Sequence, residues 1–169
     1  MARVAFYTFG IQRGTSADPQ MQGFYDRVTA AFAAAEGAQG FIDRRRADDR
    51  PPDFGPRFYN PTADAGAAQT LSVWADLESV FAYAYGGCHG EALRHRQAWF
   101  VAPQWPTYVA WWVPDDHLPT WPDAAARLEH LHDHGPTPFA FSFKRPFDAA
   151  GQPTALDRAR VAERAPAVR

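Results

Sequence analysis

Two segments of this chain alternate as β-strands do, yet both of their faces are apolar. In residues 107–113, Tyr108, Ala110 and Trp112 fall on one side and Val109, Trp111 and Val113 on the other. Residues 3–10 behave alike, with Val4 and Phe6 opposed to Ala5, Tyr7 and Phe9. Successive strand side chains leave opposite faces, and an antiparallel sheet with helices on one side shows polar residues on its open side. A sheet built from these strands must be covered twice. At 169 residues the chain is one domain long. The second cover is therefore either the same face of another copy, giving a two-fold dimer around a barrel-like interior, or the chain's own segment 115–143. The dimer is the expectation.

The remaining elements follow from local signals. Asp18-Pro19 opens a helix, with Asp18 as cap and Pro19 at the first helical position. Met21, Phe24, Tyr25, Val28, Phe32 and Ala35 then recur on one helical face until Gly37 and Gly40. Residues 41–46 predict a second strand ending in Arg44-Arg45-Arg46. Residues 47–67, carrying Pro51, Pro52, Pro56 and Pro61, predict a loop. Residues 70–75 form a third strand, and Asp76 caps a helix over 77–85, which breaks at Gly86-Gly87 and resumes over 89–100. Strand four, 107–113, stops at Pro114. Thr120-x-x-Asp123 starts a last helix as a capping box, Gly135-Pro136 ends it, and 139–143 adds an edge strand. The order β-α-β-β-α-β predicts a ferredoxin-like α+β fold with an antiparallel sheet, plus a C-terminal helix and tail. The domain spans 1–143. The tail, 144–169, is expected to be poorly ordered, with a weak helix at 154–164.

Charge and cysteine content remove several functions. The formal charge of -2 leaves no electrostatic footprint for nucleic acid or an anionic membrane. A single cysteine, Cys88, excludes an internal disulfide and a cysteine-based zinc site. The N-terminus lacks an apolar run of signal-peptide length, and no window reaches the ~20 apolar residues of a membrane span. A cytoplasmic protein is expected. No Gly-rich phosphate loop, serine elbow or Walker motif is present.

Several motifs carry a family resemblance. They are the opening Val4-Ala5-Phe6-Tyr7-Thr8-Phe9-Gly10, Ser72-Val73-Trp74-x-x-Leu77-Glu78, and His89-x4-Arg94-x-Arg96-x2-Trp99-Phe100. Trp111-Trp112-Val113-Pro114 and the closing Ala126-Arg127-Leu128-Glu129-His130-Leu131-x2-His134-Gly135-Pro136-Thr137-Pro138 complete the set. Over about residues 3–143 the chain resembles the bacterial domain-of-unknown-function 3291 family, in the dimeric α/β-barrel superfamily. The resemblance implies that fold and a homodimer. Relatives on the fold include cofactor-free monooxygenases related to antibiotic biosynthesis, haem-degrading monooxygenases, chlorite-dismutase-like haem proteins, polyketide cyclases and plain ligand binders, so it implies no single chemistry. The tail and Gly86-Gly87-Cys88 depart from the family pattern, which has a Ser or Asp ahead of the His.

The catalytic candidates lie on helix 89–100, where His89, Leu93, Arg96 and Phe100 share one stripe. A neutral His89 near a helix start suits a general base or a haem-iron ligand, and Arg96 suits an anion holder. The bland alternative makes His89 a cap and pairs Arg96 with Asp76 or Glu78. Tyr7, Trp74, Tyr108 and Trp112, with Phe100, line an aromatic cavity or simply pack a core. Of His130, His132 and His134 only the first and last share a face, which leaves no metal site. Cys88 and His89, adjacent in sequence, do not face each other.

The reading that follows is a small-molecule-binding protein, a cofactor-free monooxygenase or cyclase-like enzyme. His89 would take a proton from a phenol or anthrone-like compound and Arg96 would hold the anion. The alternatives are a haem-binding or haem-degrading protein with His89 as axial ligand, and a non-catalytic binding module. The partners expected are a second copy and a small apolar or aromatic ligand, with the 47–67 loop as lid.

Overall fold

The computed structural model describes residues 1–166. It is a mixed α/β structure with a four-strand antiparallel sheet and six helices among the described residues. The strands are β1 (Arg3–Ile11), β2 (Phe41–Arg44), β3 (Ala67–Trp74) and β4 (Tyr108–Val113). The helices are α1 (Gln22–Glu36), α2 (Leu77–Tyr85), α3 (Gly87–Arg94), α4 (Arg96–Trp99), α5 (Trp121–His134) and α6 (Arg158–Arg164). The sheet order is β2-β3-β1-β4. The central strand β1 pairs Val4 with Trp74 and Tyr7 with Leu71 on one side, and Val4 with Trp112 and Tyr7 with Val109 on the other. The expected edge strand at 139–143 is a single bridge: Phe141 exchanges backbone hydrogen bonds of 2.9 and 3.0 Å with Ala110.

Both faces of the sheet are buried within one chain. On the first face Val4, Phe6, Trp74 and Ala110 pack under Leu77, Val80 and Ala84 of α2, with Ala35 of α1, Phe141 and Phe143. On the second face Ala5, Tyr7, Phe9, Leu71, Val109 and Trp111 pack under Trp121, Ala124, Leu128 and Leu131 of α5. Phe54, Phe58 and Tyr59, from the loop between β2 and β3, complete that cover. The face that led us to expect a second copy is therefore filled by the chain itself, because α5 brings an apolar stripe at helical spacing.

The capping signals act locally. The Asp76 carboxylate accepts from the Ser79 N–H at 2.8 Å, and Thr120 and Asp123 form the reciprocal capping box of α5. Gly135, at φ 73°, ends α5 in the left-handed region that glycine adopts freely. Asp18 does otherwise: the chain enters through one 3-10 turn, and the carboxylate turns back to the Thr15 N–H and hydroxyl at 2.6 and 3.0 Å. The continuous helix expected over 89–100 is also not found. It is divided at His95, whose φ and ψ of -96° and 1° lie outside the α-helical pair.

The tail through residue 166 lies against the body. Arg164 and Arg160 reach the Asp76 carboxylate at 2.7 and 3.2 Å, and Glu78 accepts the Asp157 N–H at 3.0 Å. Asp157 caps α6 through the N–H groups of Ala159 and Arg160. Phe147 and Leu156 pack against the first-face core, Arg158 lies over the Phe81 ring, and the ion pairs to Asp76 hold α6. Residues 167–169 of the expected tail lie outside the described residues.

Candidate functional site

The structure separates the sequence candidates. On α3, the His89 Nδ1 lies 2.7 Å from the Ala84 carbonyl, so Nδ1 carries the proton and Nε2 keeps the lone pair. Burial pulls its pKa below the usual histidine range, against the hydrogen bond to Ala84, and the ring leans on Tyr83 at 4.8 Å. Arg96 begins α4, exposed, donating to the Leu93 carbonyl at 3.1 Å. The helix break at His95 thus removes the shared stripe that would have aligned the two. The carboxylates offered as partners for Arg96 serve the tail instead, Asp76 through Arg160 and Arg164 and Glu78 through Asp157. Phe100 bridges Gln12 and packs edge-on against Phe24 at 5.4 Å.

The four strand aromatics do not share a wall. Trp74, Tyr108 and Trp112 belong to the first face and Tyr7 to the second, because Tyr7 stands opposite Val109 and not beside Tyr108. Trp74 donates to Ser72 Oγ at 2.8 Å and stacks on Tyr83. Tyr108 stacks on Phe143 at 5.0 Å, and burial raises its phenol pKa. Trp112 donates to the Phe147 carbonyl at 2.7 Å. Tyr7 donates to Gln69 Oε1 at 2.7 Å, and burial raises its pKa as well.

An open cleft of about 330 Å³ lies where β4 gives way to α5, lined by Trp111, Trp112, Pro114, His117, Asp123 and Arg127 among others. Pro114 ends β4, the 115–119 turn carries His117 back, and the capping box sets Asp123 one helical turn before Arg127. The Arg127 guanidinium lies over the rings of Trp111, at 5.1 Å, and Phe139, at 4.0 Å, and donates to the Phe139 carbonyl. Burial lowers its pKa against the pull of Asp123. Among the described residues no carboxylate lies within ion-pair distance of it. His117 Nε2 lies 3.8 Å from Asp123 Oδ2. Burial raises the pKa of Asp123, but the Thr120 N–H and hydroxyl bonds and the nearby His117 and Arg127 outweigh it and hold the carboxyl below its usual range. A histidine and an arginine therefore do line one cleft, but they are His117 and Arg127 and not His89 and Arg96.

A second cleft of about 200 Å³ shares Asp116 and His117 and adds Arg3, Ile42 and Asp43. The other sequence features have structural partners. Arg44 pairs with Glu36, Arg45 donates to the Pro119 carbonyl, and His130 meets Thr137. Among the described residues no group of three or more His, Cys, Asp or Glu side chains is placed to hold a metal ion, and no helix is long and apolar enough to cross a membrane.

Fold and cleft together define a small α+β protein with a doubly covered antiparallel sheet and an open cleft where β4 meets α5. The chain belongs to the family described as domain of unknown function DUF3291, whose model matches residues 3–157. It is similar to a solved structure of a protein of unknown function from Nitrosomonas europaea, at 15% identity over 71% of this chain and 97% of that one, with a TM-score of 0.45. It is also similar to a protein from Pseudomonas aeruginosa, at 8% identity over 67% of this chain and 93% of that one, with a TM-score of 0.42. No curated protein matches.

Proposed function

We propose that the protein binds a small acidic aromatic compound in the β4–α5 cleft and takes a proton from it without a cofactor. His117 acts as the base and Arg127 holds the resulting anion. The carrying observation is the Arg127 guanidinium, half-buried on Trp111 and Phe139 at the cleft wall with no carboxylate partner among the described residues. A desolvated cation on aromatic rings favours a planar anion, and Asp123 Oδ2 lies 3.8 Å from His117 Nε2, where it can orient the ring. The order β2-β3-β1-β4, with a helix after β1 and helices after β3, supports a ferredoxin-like arrangement. That supports a likeness to the cofactor-free monooxygenases and cyclases of the α/β-barrel type. His89 has the tautomer of a metal-ligating imidazole, but neither cleft is lined by it, so the organic-ligand reading stands ahead of haem.

The test is anaerobic titration with 1,8-dihydroxyanthrone at pH 7, following the absorbance of the anthrone anion. Wild type generates the anion on binding, Arg127→Leu loses it, and His117→Ala slows its formation by about 10²–10⁴-fold. No anion with wild type, or the same rate in a folded His117→Ala, overturns the proposal.

A further inference from the structure

Under the loop of residues 47–66 the second face holds polar groups that its packing does not explain. Three buried side-chain polar atoms lack a partner among the described residues, and two of them are the indole Nε1 atoms of Trp105 and Trp121. The two rings pack against successive same-face positions of β1: Trp121 edge-on to Tyr7 at 6.4 Å, Trp105 tilted on Phe9 at 6.1 Å. A buried donor left unmade is expensive, and two of them on one sheet face call for acceptors. Water is a poor one here. A buried water needs two to four polar partners, whereas the Trp105 indole supplies a single donor between Phe9 and Phe58.

The cover above them is built to be released. Phe58 lies parallel to Trp105, rings 5.5 Å apart and 7° from coplanar, in the position a flat ligand would take. The loop is held from outside by exposed polar contacts: the Arg57 side chain on Asp133, and its backbone N–H on Glu129 Oε1 at 2.8 Å. On the inside, Gln69 Nε2 donates to the Phe54 carbonyl at 2.8 Å while its Oε1 accepts from Tyr7, and Arg50 lies over the Trp121 ring at 5.2 Å.

We propose that residues 47–66 are a lid over a covered binding site for a small, uncharged, planar aromatic carbonyl compound, with the indole N–H groups of Trp105 and Trp121 as its hydrogen-bond donors. Phe58 gives up its stack on Trp105 to the ligand when the lid opens. The site is separate from the β4–α5 cleft and needs neither His117 nor Arg127.

The probe is chromone, a neutral bicyclic ketone with no acidic proton, titrated calorimetrically into the whole protein. Wild type gives a saturable isotherm. Trp105→Phe and Trp121→Phe, with near-ultraviolet circular dichroism checking the fold, each weaken binding about tenfold, the loss of one well-made hydrogen bond. Arg57→Ala, which frees the lid, speeds association several-fold. No saturable binding by wild type overturns the proposal, as does unchanged affinity in the folded tryptophan variants. Should Trp121→Phe fail to fold, Trp105→Phe at its half-buried position decides alone.

Discussion

The two faces of the sheet are equally apolar but are closed by different means. The first is covered by helices in the βαββαβ order, and its fully buried Trp74 has every polar need met, Nε1 donating to Ser72 Oγ. The second is covered by a helix beyond that order and by a loop, and two indole N–H groups beneath that loop have no partner among the described residues. Complete hydrogen bonding marks a face that only has to hold. Unmet donors under a detachable loop mark one with other work to do.

The contrast is open to measurement. The largest expected effect is on the first face, where Trp74→Ala costs about 3–5 kcal/mol of stability, as for a large aromatic deleted from a packed core. Trp105→Ala, at a half-buried position, costs well under half as much; equal losses in urea unfolding would erase the distinction. Next comes the α6 anchor. Asp76→Asn removes part of the α2 cap and the ion pairs to Arg160 and Arg164, about 1–2 kcal/mol at pH 7. The Asp76 carboxyl sits below its usual pKa because the Arg164 and Ser79 hydrogen bonds outweigh burial. Its contribution is thus complete above about pH 4 and is lost as the pH falls through the lower folded value. The gap between wild type and variant should close as the pH falls below about 4; a constant gap would show that the charge is not what holds α6. Arg57→Ala, losing exposed pairs to Asp133 and Glu129, barely moves the urea midpoint but raises amide exchange across 47–66. The smallest expected change is none: with both faces filled by one chain, the thermal midpoint should not move over about a hundredfold range of protein concentration.

Much of this was legible in the sequence. The order of elements, the two-sided apolar strands and the caps at Asp76 and Thr120 rest on neighbours close in the chain, and the structure carries them. Alternation within each strand does not relate Tyr7 to Tyr108. That they leave opposite faces followed only from the register pairing Tyr7 with Val109. The His95 break had no glycine or proline to announce it. His117 and Arg127 were passed over because nothing periodic links a turn residue to a helical one ten positions later. A faint signal existed: a histidine in a turn bounded by Pro114 and Pro119, then Asp123 and Arg127 at helical spacing. The α6 anchor escaped since its partners, Asp76 and Arg164, are 88 positions apart.

That separation has a consequence in time. The ribosome makes the Asp76 carboxylate long before its cations, and at about 5–20 residues per second the wait is roughly 4–18 s. Throughout it, α2 presents Asp76 and Glu78 without the tail that later covers them. Nascent chains therefore carry a temporary acidic corner on α2, and residues more than eighty positions later are the ones that neutralise it.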